Sequence, residues 1–296
     1  MIGMKLYPAA DCDPGVKMKD YNDGTPNITM GRTLREKGYK ELRITWRFDA
    51  GCWEKELFRL ECIMDELRQT ENRDLPVELF MPYVPNARMD RVPPGKDNVF
   101  TLRTFAKIIN GMGFDRVVVY DPHSDVTPAL IDRCRVITPK KHLASVAEGI
   151  EDPLWVFPDA GAMHRYRDLL PDDPLGTNIM FGEKLRDWNN QHIIGYKLYG
   201  STSVRDRNIV VVDDIIAHGY TLLFLLKELS WDSPRSVTVY ASHIEESYIG
   251  GALYNAISDD VFGPVPVKIF TSDSVIRHWP ALAKEAVTEL NIQEER

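Results

Sequence analysis

The sequence predicts two α/β domains, each a mainly parallel sheet flanked by helices. Three observations carry this. Short β-branched runs alternate with amphipathic stretches of helical period along nearly the whole chain. The alternation starts afresh near residues 136–145. The chain has 296 residues, more than one small core organises. The domains are placed at residues 1–140 and 141–296.

In order, Glu41 to Trp46 reads as a strand and Glu54 to Gln69 as a helix with Leu57, Leu60, Ile63, Met64 and Leu67 on one face. Val77 to Met81 is a strand, Thr101 to Met112 a helix, and Arg116 to Tyr120 a buried strand. Thr127 to Cys134 reads as a short helix. In the second half, Leu154 to Phe157 is a strand, followed by a helix near Met163 to Leu170. Asn178 to Phe181, His192 to Leu198 and the unbroken apolar run Asn208 to Val212 are strands. Thr221 to Leu229 is a helix, Ser236 to Ala241 and Val267 to Phe270 are strands, and a closing helix runs from about Pro280 to Leu290.

The longest apolar runs fall far short of the roughly 20 residues that cross a bilayer. The start, MIGMKLYPAADCD, lacks the basic flank and apolar stretch of a secretory signal. Four scattered cysteines with no CxxC pair argue against a disulfide scaffold or structural zinc, and fit a reducing cytoplasm. A net charge of −8 with no basic run argues against nucleic acid. It still allows a polyanionic nucleotide held by Mg²⁺ and a few placed cations.

Parallel sheets bind ligands at the carboxyl ends of their strands, and the chemistry-bearing residues fall there. Asp213 and Asp214 follow a strand, and Ala217, His218, Gly219, Tyr220 and Thr221 lead from it into a helix. Paired carboxylates suit the two hydroxyls of a ribose, and a helix N-terminus suits a phosphate. An acidic strand end of a doubly wound protein reads the same way. Asp121-Pro122-His123 follows another strand, and its imidazole suits a divalent cation, a phosphate or a plain hydrogen bond. Asp159 follows a third, with Gly161, His164, Arg165 and Arg167 behind it. Arg88, Asp90 and Arg91 follow a fourth, where arginines bind phosphates or stack on a base; a solvated charged loop fits as well. Lys184 and Arg186, two residues apart between strands, suit a transferring phosphoryl group or ordinary surface charge. GxxxxGK[ST], GxGxxG, GxSxG and HExxH are all absent.

In order along the chain, these segments resemble the ribose-phosphate pyrophosphokinase family. The likeness runs from about Tyr21 to Ser274. PYVPNARMDR is similar to the family's PYxxYARQDR, DPH to DLH, and FPDAGAMHR to SPDxGGxxR. Glu183 to Arg186 resembles its KxR loop, VVVDDIIAHGYT its VDDxIDTxGT, and Tyr21 to Gly24 its FxDGE. The resemblance implies phosphoribosyltransferase-type domains, ATP loops in the first and a ribose-phosphate loop in the second. It implies Mg²⁺ on His123 and Asp159, and transition-state stabilisation by Lys184 and Arg186. Tyr21, Asp23, Arg88, Asp90 and Arg91 would bind ATP, with Tyr21 reaching in from a neighbouring subunit of a homo-oligomer. Asp213 and Asp214 would hold the ribose, and residues 217–221 its 5-phosphate.

The departures bear on the acceptor. Met89 stands where the family has Gln, and Thr25 where it has Glu. Tyr220 replaces a glycine where backbone must wrap a phosphate closely. Loss of an Asp from that loop removes a charge that would repel a second phosphate, and His218 adds a donor. Ribose 5-phosphate is the family's default acceptor. ADP-ribose is the alternative, and viral relatives that make ADP-ribose pyrophosphate for NAD rebuilding resemble this pattern in outline. Retention of His123, Lys184 and Arg186 speaks against an inactive regulatory partner, and the DPH and KxR segments against a phosphoribosyltransferase.

Overall fold

The computed structural model describes residues 2–7, 16–30, 40–171, 178–186, 193–200, 203–276, 279–280 and 286–292, with backbone alone for 2–7, 184–186 and 193–194. It divides into two compact units, Met1–Ile137 and Thr138–Arg296.

The first unit is built on five strands: β1 (Ile2–Tyr7), β4 (Glu41–Trp46), β5 (Val77–Met81), β6 (Arg116–Tyr120) and β7 (Cys134–Ile137). They lie in the order β1-β4-β5-β6-β7, with β1 antiparallel and the others parallel. Helix α1 (Trp53–Gln69) buries Leu60, Ile63, Met64 and Leu67. Helix α2 (Thr101–Gly111) repeats that spacing with Leu102, Phe105, Ala106 and Ile109. Both stripes pack in one core with Leu42, Ile44, Trp46, Leu79 and Val117. Glu56 falls inside the α1 stripe, and the Trp46 indole N–H donates to it at 2.8 Å, so the buried carboxylate has a partner. A separate hairpin, β2 (Lys17–Asp20) and β3 (Pro26–Thr29), is tied to α1 through Asp20, which accepts from Lys55 at 2.7 Å and Arg59 at 2.6 Å.

The second unit opens with helix α4 (Lys140–Ala147) and carries a seven-stranded sheet. Its strands are β8 (Leu154–Phe157), β9 (Ile179–Arg186), β10 (Ile193–Tyr199), β11 (Asn208–Ile216), β12 (Ser236–Ile244), β13 (Val267–Ser272) and β14 (Val287–Leu290), in the order β10-β9-β8-β11-β12-β13-β14. Only β10 runs antiparallel among these described strands. Alternate residues of β11 enter opposite cores, which is why its apolar run is unbroken. Ile209 and Val211 meet Leu222, Leu225, Leu226 and Leu229 of α6 (Tyr220–Ser230) and Leu253 of α7 (Ala252–Ser258). Val210 and Val212 meet Trp155, Phe157, Leu143, Val146, and Tyr166 of α5 (Ala160–Tyr166).

Two expected helices are corrected. Only Val126–Leu130 (α3) of the stretch 127–134 and its surroundings is helical. Ile131 is extended and Arg133 adopts φ +53°, freeing Cys134 to pair with Val117 of β6. The closing stretch ends as strand β14, because the open edge of β13 takes Val287 opposite Ile269; residues 281–285 lie outside the described set. Edge strands β1, β2, β3 and β7 and helices α4 and α7 went unanticipated. Among the described residues no helix is long and apolar enough to cross a membrane.

Leu225 is fully buried and Trp231 is 83% exposed. Leu225→Ala should cost about 2–5 kcal/mol in denaturant unfolding, and Trp231→Ala under about 0.5 kcal/mol. Equal losses would contradict the packing.

Candidate functional site

In the first unit, the segment after β5 is packed down from Pro82 to Pro85, turns at Asn86 (φ +65°), and presents Arg88 and Arg91 to solvent. Asp90 between them is 4% exposed. Its carboxylate accepts two bonds from Arg91, at 2.8 and 3.2 Å. Burial works to raise its pKa, but the hydrogen bonds from Arg91 and the charges of Arg91 and His123 hold it below the usual carboxylate range. The charge of His123, on the segment after β6, lies close enough to Asp90 to favour its ionised form. Asp121 is buried with φ +36°, and its N–H donates to the Ile137 carbonyl at 3.0 Å. A non-glycine residue held there is the kind of backbone strain that collects at functional sites. His123, two residues on, is half-buried.

At the tip of the β2–β3 hairpin Tyr21 is 60% exposed. Asp23 is exposed too: its carboxylate accepts the Thr25 N–H at 2.9 Å, and that bond leads the lowering of its pKa. It shapes the turn.

In the second unit, Asp159 directly follows Pro158 at the end of β8 and caps α5 by accepting the Ala162 N–H at 3.0 Å. From α5, Arg165 donates to Asp214 at 3.0 Å. Asp213 and Asp214, expected beyond the strand, continue β11 itself, and the Asp214 N–H donates to the Asp213 carboxylate at 2.9 Å. Desolvation first, then the charges of Asp214 and Asp159, push the Asp213 carboxyl well above the ordinary carboxylate range.

Ala217, His218 and Gly219 lead from β11 into α6, followed by Tyr220 and Thr221 on its first turn. Gly219 is required twice over: its φ is +79°, and a Cβ there would lie 2.4 Å from the Leu253 Cβ. The Leu253 N–H donates to the His218 carbonyl at 3.3 Å, so the N-terminus of α7 props the loop. Tyr220 is 58% exposed, its ring 6.3 Å from that of His218, which also faces solvent. The first amides of α6 have no intrahelical acceptor and suit an anion.

Lys184 and Arg186, expected on a loop, lie in β9. Tyr196 of β10 is the register partner of Lys184, and Ile193 that of Arg186; the side chains of Lys184 and Arg186 lie outside the described set. Among the described residues no three His, Cys, Asp or Glu side chains cluster as a self-sufficient metal site.

No protein-family model matches the chain. It is 25% identical over 240 residues to the ribose-phosphate pyrophosphokinase of Saccharolobus solfataricus, covering 80% of this chain and 78% of that protein. The Campylobacter jejuni enzyme of the same name is 24% identical over 266 residues, 86% of this chain and 78% of that one. A 28% identical Vibrio vulnificus enzyme matches over 244 residues, 80% of this chain and 72% of its own length. The fold matches the crystal structure of phosphoribosylpyrophosphate synthetase from Mycobacterium smegmatis with a TM-score of 0.71, at 16% identity, over 95% of this chain and 87% of that one. This chain is a relative of the ribose-phosphate pyrophosphokinases.

The strand ends of the second unit hold contacts that residue type and spacing do not reveal. Arg165 was seen only as part of a motif, and its pairing with Asp214 joins residues 49 positions apart. Tyr196 carried no signal at all. It is 7% exposed and its hydroxyl donates to the Pro158 carbonyl.

A raised carboxyl pKa means the folded state holds a proton that the unfolded chain has released, so ionisation of Asp213 costs stability as pH rises above the ordinary carboxylate range. Asp213→Asn should therefore unfold at higher temperature than the parent at about pH 8. The gap should close near pH 4, where the parent's Asp213 stays protonated. A constant gap across that range would contradict the assignment.

Proposed function

We propose that this protein transfers the β,γ-diphosphoryl group of Mg²⁺-bound ATP to the C1 hydroxyl of a ribose 5-phosphoryl acceptor. With ribose 5-phosphate the products are phosphoribosyl pyrophosphate and AMP. The observation that carries the reading is the end of β11, where Asp213, Asp214 and the Arg165 contact sit directly before the residue 217–221 loop, in a chain related to the ribose-phosphate pyrophosphokinases.

In this reading Asp213 and Asp214 accept from the ribose hydroxyls, with Arg165 fixing the orientation of Asp214. The residue 217–221 loop and the first amides of α6 hold the 5-phosphate. The C1 oxygen forms a bond to the β-phosphorus while the α,β-bridging oxygen leaves with AMP, and the hydroxyl proton passes to solvent. Lys184 and Arg186 neutralise the charge that builds on the moving group. Arg88 and Arg91 bind ATP from the segment after β5. Asp23 serves ATP indirectly, by shaping the turn that presents Tyr21. The exposure of Tyr21 suits a residue that completes the site of a second copy, so a homo-oligomer belongs to the proposal.

In this reading His123 and Asp159 are the residues that would serve a Mg²⁺ carried by the polyphosphate, Asp159 by a carboxylate oxygen and His123 by its imidazole. The ion would screen the phosphates and draw charge from the β-phosphorus when bound.

One observation favours ADP-ribose as acceptor. Tyr220 and His218 stand exposed side by side at the α6 N-terminus, an aromatic face and a donor where a 5-phosphate ester would leave the loop.

With ATP and Mg²⁺, AMP should form when an accepted ribose compound is added and not with a sugar lacking C1 hydroxyl; no AMP with either acceptor would overturn the reading. Lys184→Ala should lower kcat by about 10²–10³-fold with a nearly unchanged KM for ATP. Tyr220→Gly should shift kcat/KM toward ribose 5-phosphate relative to ADP-ribose; an unchanged ratio would remove Tyr220 from acceptor choice.

A further inference from the structure

We propose that Tyr196 is the positioning residue that locks the strand carrying Lys184 and Arg186 against the carboxyl end of β8. For its catalytic part the proposal rests on the diphosphoryl-transfer reading above; its structural part does not.

Strand β10 is the edge of the seven-stranded sheet, and β9 lies between it and β8. The β9–β10 ladder is antiparallel and shifts register between Ile193 and Gly195. Strand β9 is also paired with β8, but only at Ile179, Met180 and Phe181, short of Lys184 and Arg186, and β10 has the β9 ladder as its one strand pairing; a slip of one residue there exchanges the two faces of the strand. Lys184 and Arg186 can only act on a transferring group if that register is fixed.

Tyr196 supplies a second attachment. It is the residue opposite Lys184 in the ladder, yet its hydroxyl donates to the Pro158 carbonyl, at the end of the strand beyond β9. The side chain therefore crosses β9. It does so over Gly182, where a Cβ would lie 1.9 Å from the Tyr196 ring. Gly182 has no positive-φ requirement, so the glycine answers to space alone. The bare position and the tyrosine make one device, and neither explains itself without the other.

The bond lands beside the chemistry. Pro158 precedes Asp159, whose side chain caps α5, and α5 carries the Arg165 that holds Asp214. Burial first, then the charges of Asp159 and Asp213, push the Tyr196 ionisation upward. The hydroxyl consequently stays a donor throughout the working pH range, which suits an anchor and rules out a general base.

Two variants of the full-length chain test this. Tyr196→Phe removes the bond and keeps the ring; Gly182→Ala displaces the ring and keeps the hydroxyl. Backbone amide exchange in β9 and β10 should accelerate about tenfold in both, on the scale of one lost hydrogen bond, with β11 and β12 unchanged. Steady-state AMP formation with ATP and the preferred acceptor should show kcat lowered about tenfold or more, with both KM values within about threefold of the parent. Unchanged exchange in β9 and β10 would overturn the proposal, and so would faster exchange with full kcat. Should the parent form no AMP with either acceptor, the functional reading fails by itself, and the exchange comparison still decides whether Tyr196 is the anchor.

Discussion

Two adjacent carboxylates at the end of β11 are the constraint around which the second unit is arranged. Consecutive strand residues face opposite sides of a sheet, so Asp213 and Asp214 meet different surroundings. Asp214 has the Arg165 guanidinium at 3.0 Å. Asp213 has the charge of Asp159 and the side chain of Tyr196 near it and resists ionisation. Such a pair costs stability unless a ligand takes up its acceptor capacity. A ribose, with neighbouring hydroxyls, is a ligand of that kind.

The rest of the fold holds this pair and its neighbours in place. Strand β11 is buried on both faces by Ile209 to Val212, which makes its end a rigid platform. Gly219 admits Leu253 and fixes the turn into α6, while Gly182 admits Tyr196 and fixes the hairpin. In each place a packing contact sets where the polar residues of the candidate site lie, which is how a polar site keeps its geometry.

Much of this architecture was legible because parallel strands and one-sided helices write strong patterns. The runs at Glu41, Val77, Arg116, Leu154 and Asn208, and the Leu60-Ile63-Met64-Leu67 stripe, matched the elements found. Apart from β10, the edge strands were not legible. Strands β1, β7 and β14 owe their extended form to a neighbour with open backbone groups, which local periodicity does not record. Strand ends also ran further than their apolar cores, so Asp213, Asp214, Lys184 and Arg186 were read as loop residues. In the site, residues with distinctive chemistry could be picked out. Their pairing across the sheet, Arg165 with Asp214 and Tyr196 with Pro158, joins positions 49 and 38 apart and leaves no local trace. The burial of Asp90 and the turn bond of Asp23 are likewise contacts that residue type alone does not announce.

The central claim is that a diphosphoryl unit, not a single phosphoryl group, moves to an anomeric oxygen. Phosphorus NMR of a single reaction mixture of enzyme, ATP, Mg²⁺ and ribose 5-phosphate or ADP-ribose reads this directly. AMP should appear in step with a new pair of coupled diphosphate resonances, the inner one coupled to the C1 proton of the sugar. ADP with a sugar monophosphate at C1, or inorganic phosphate alone, would contradict it.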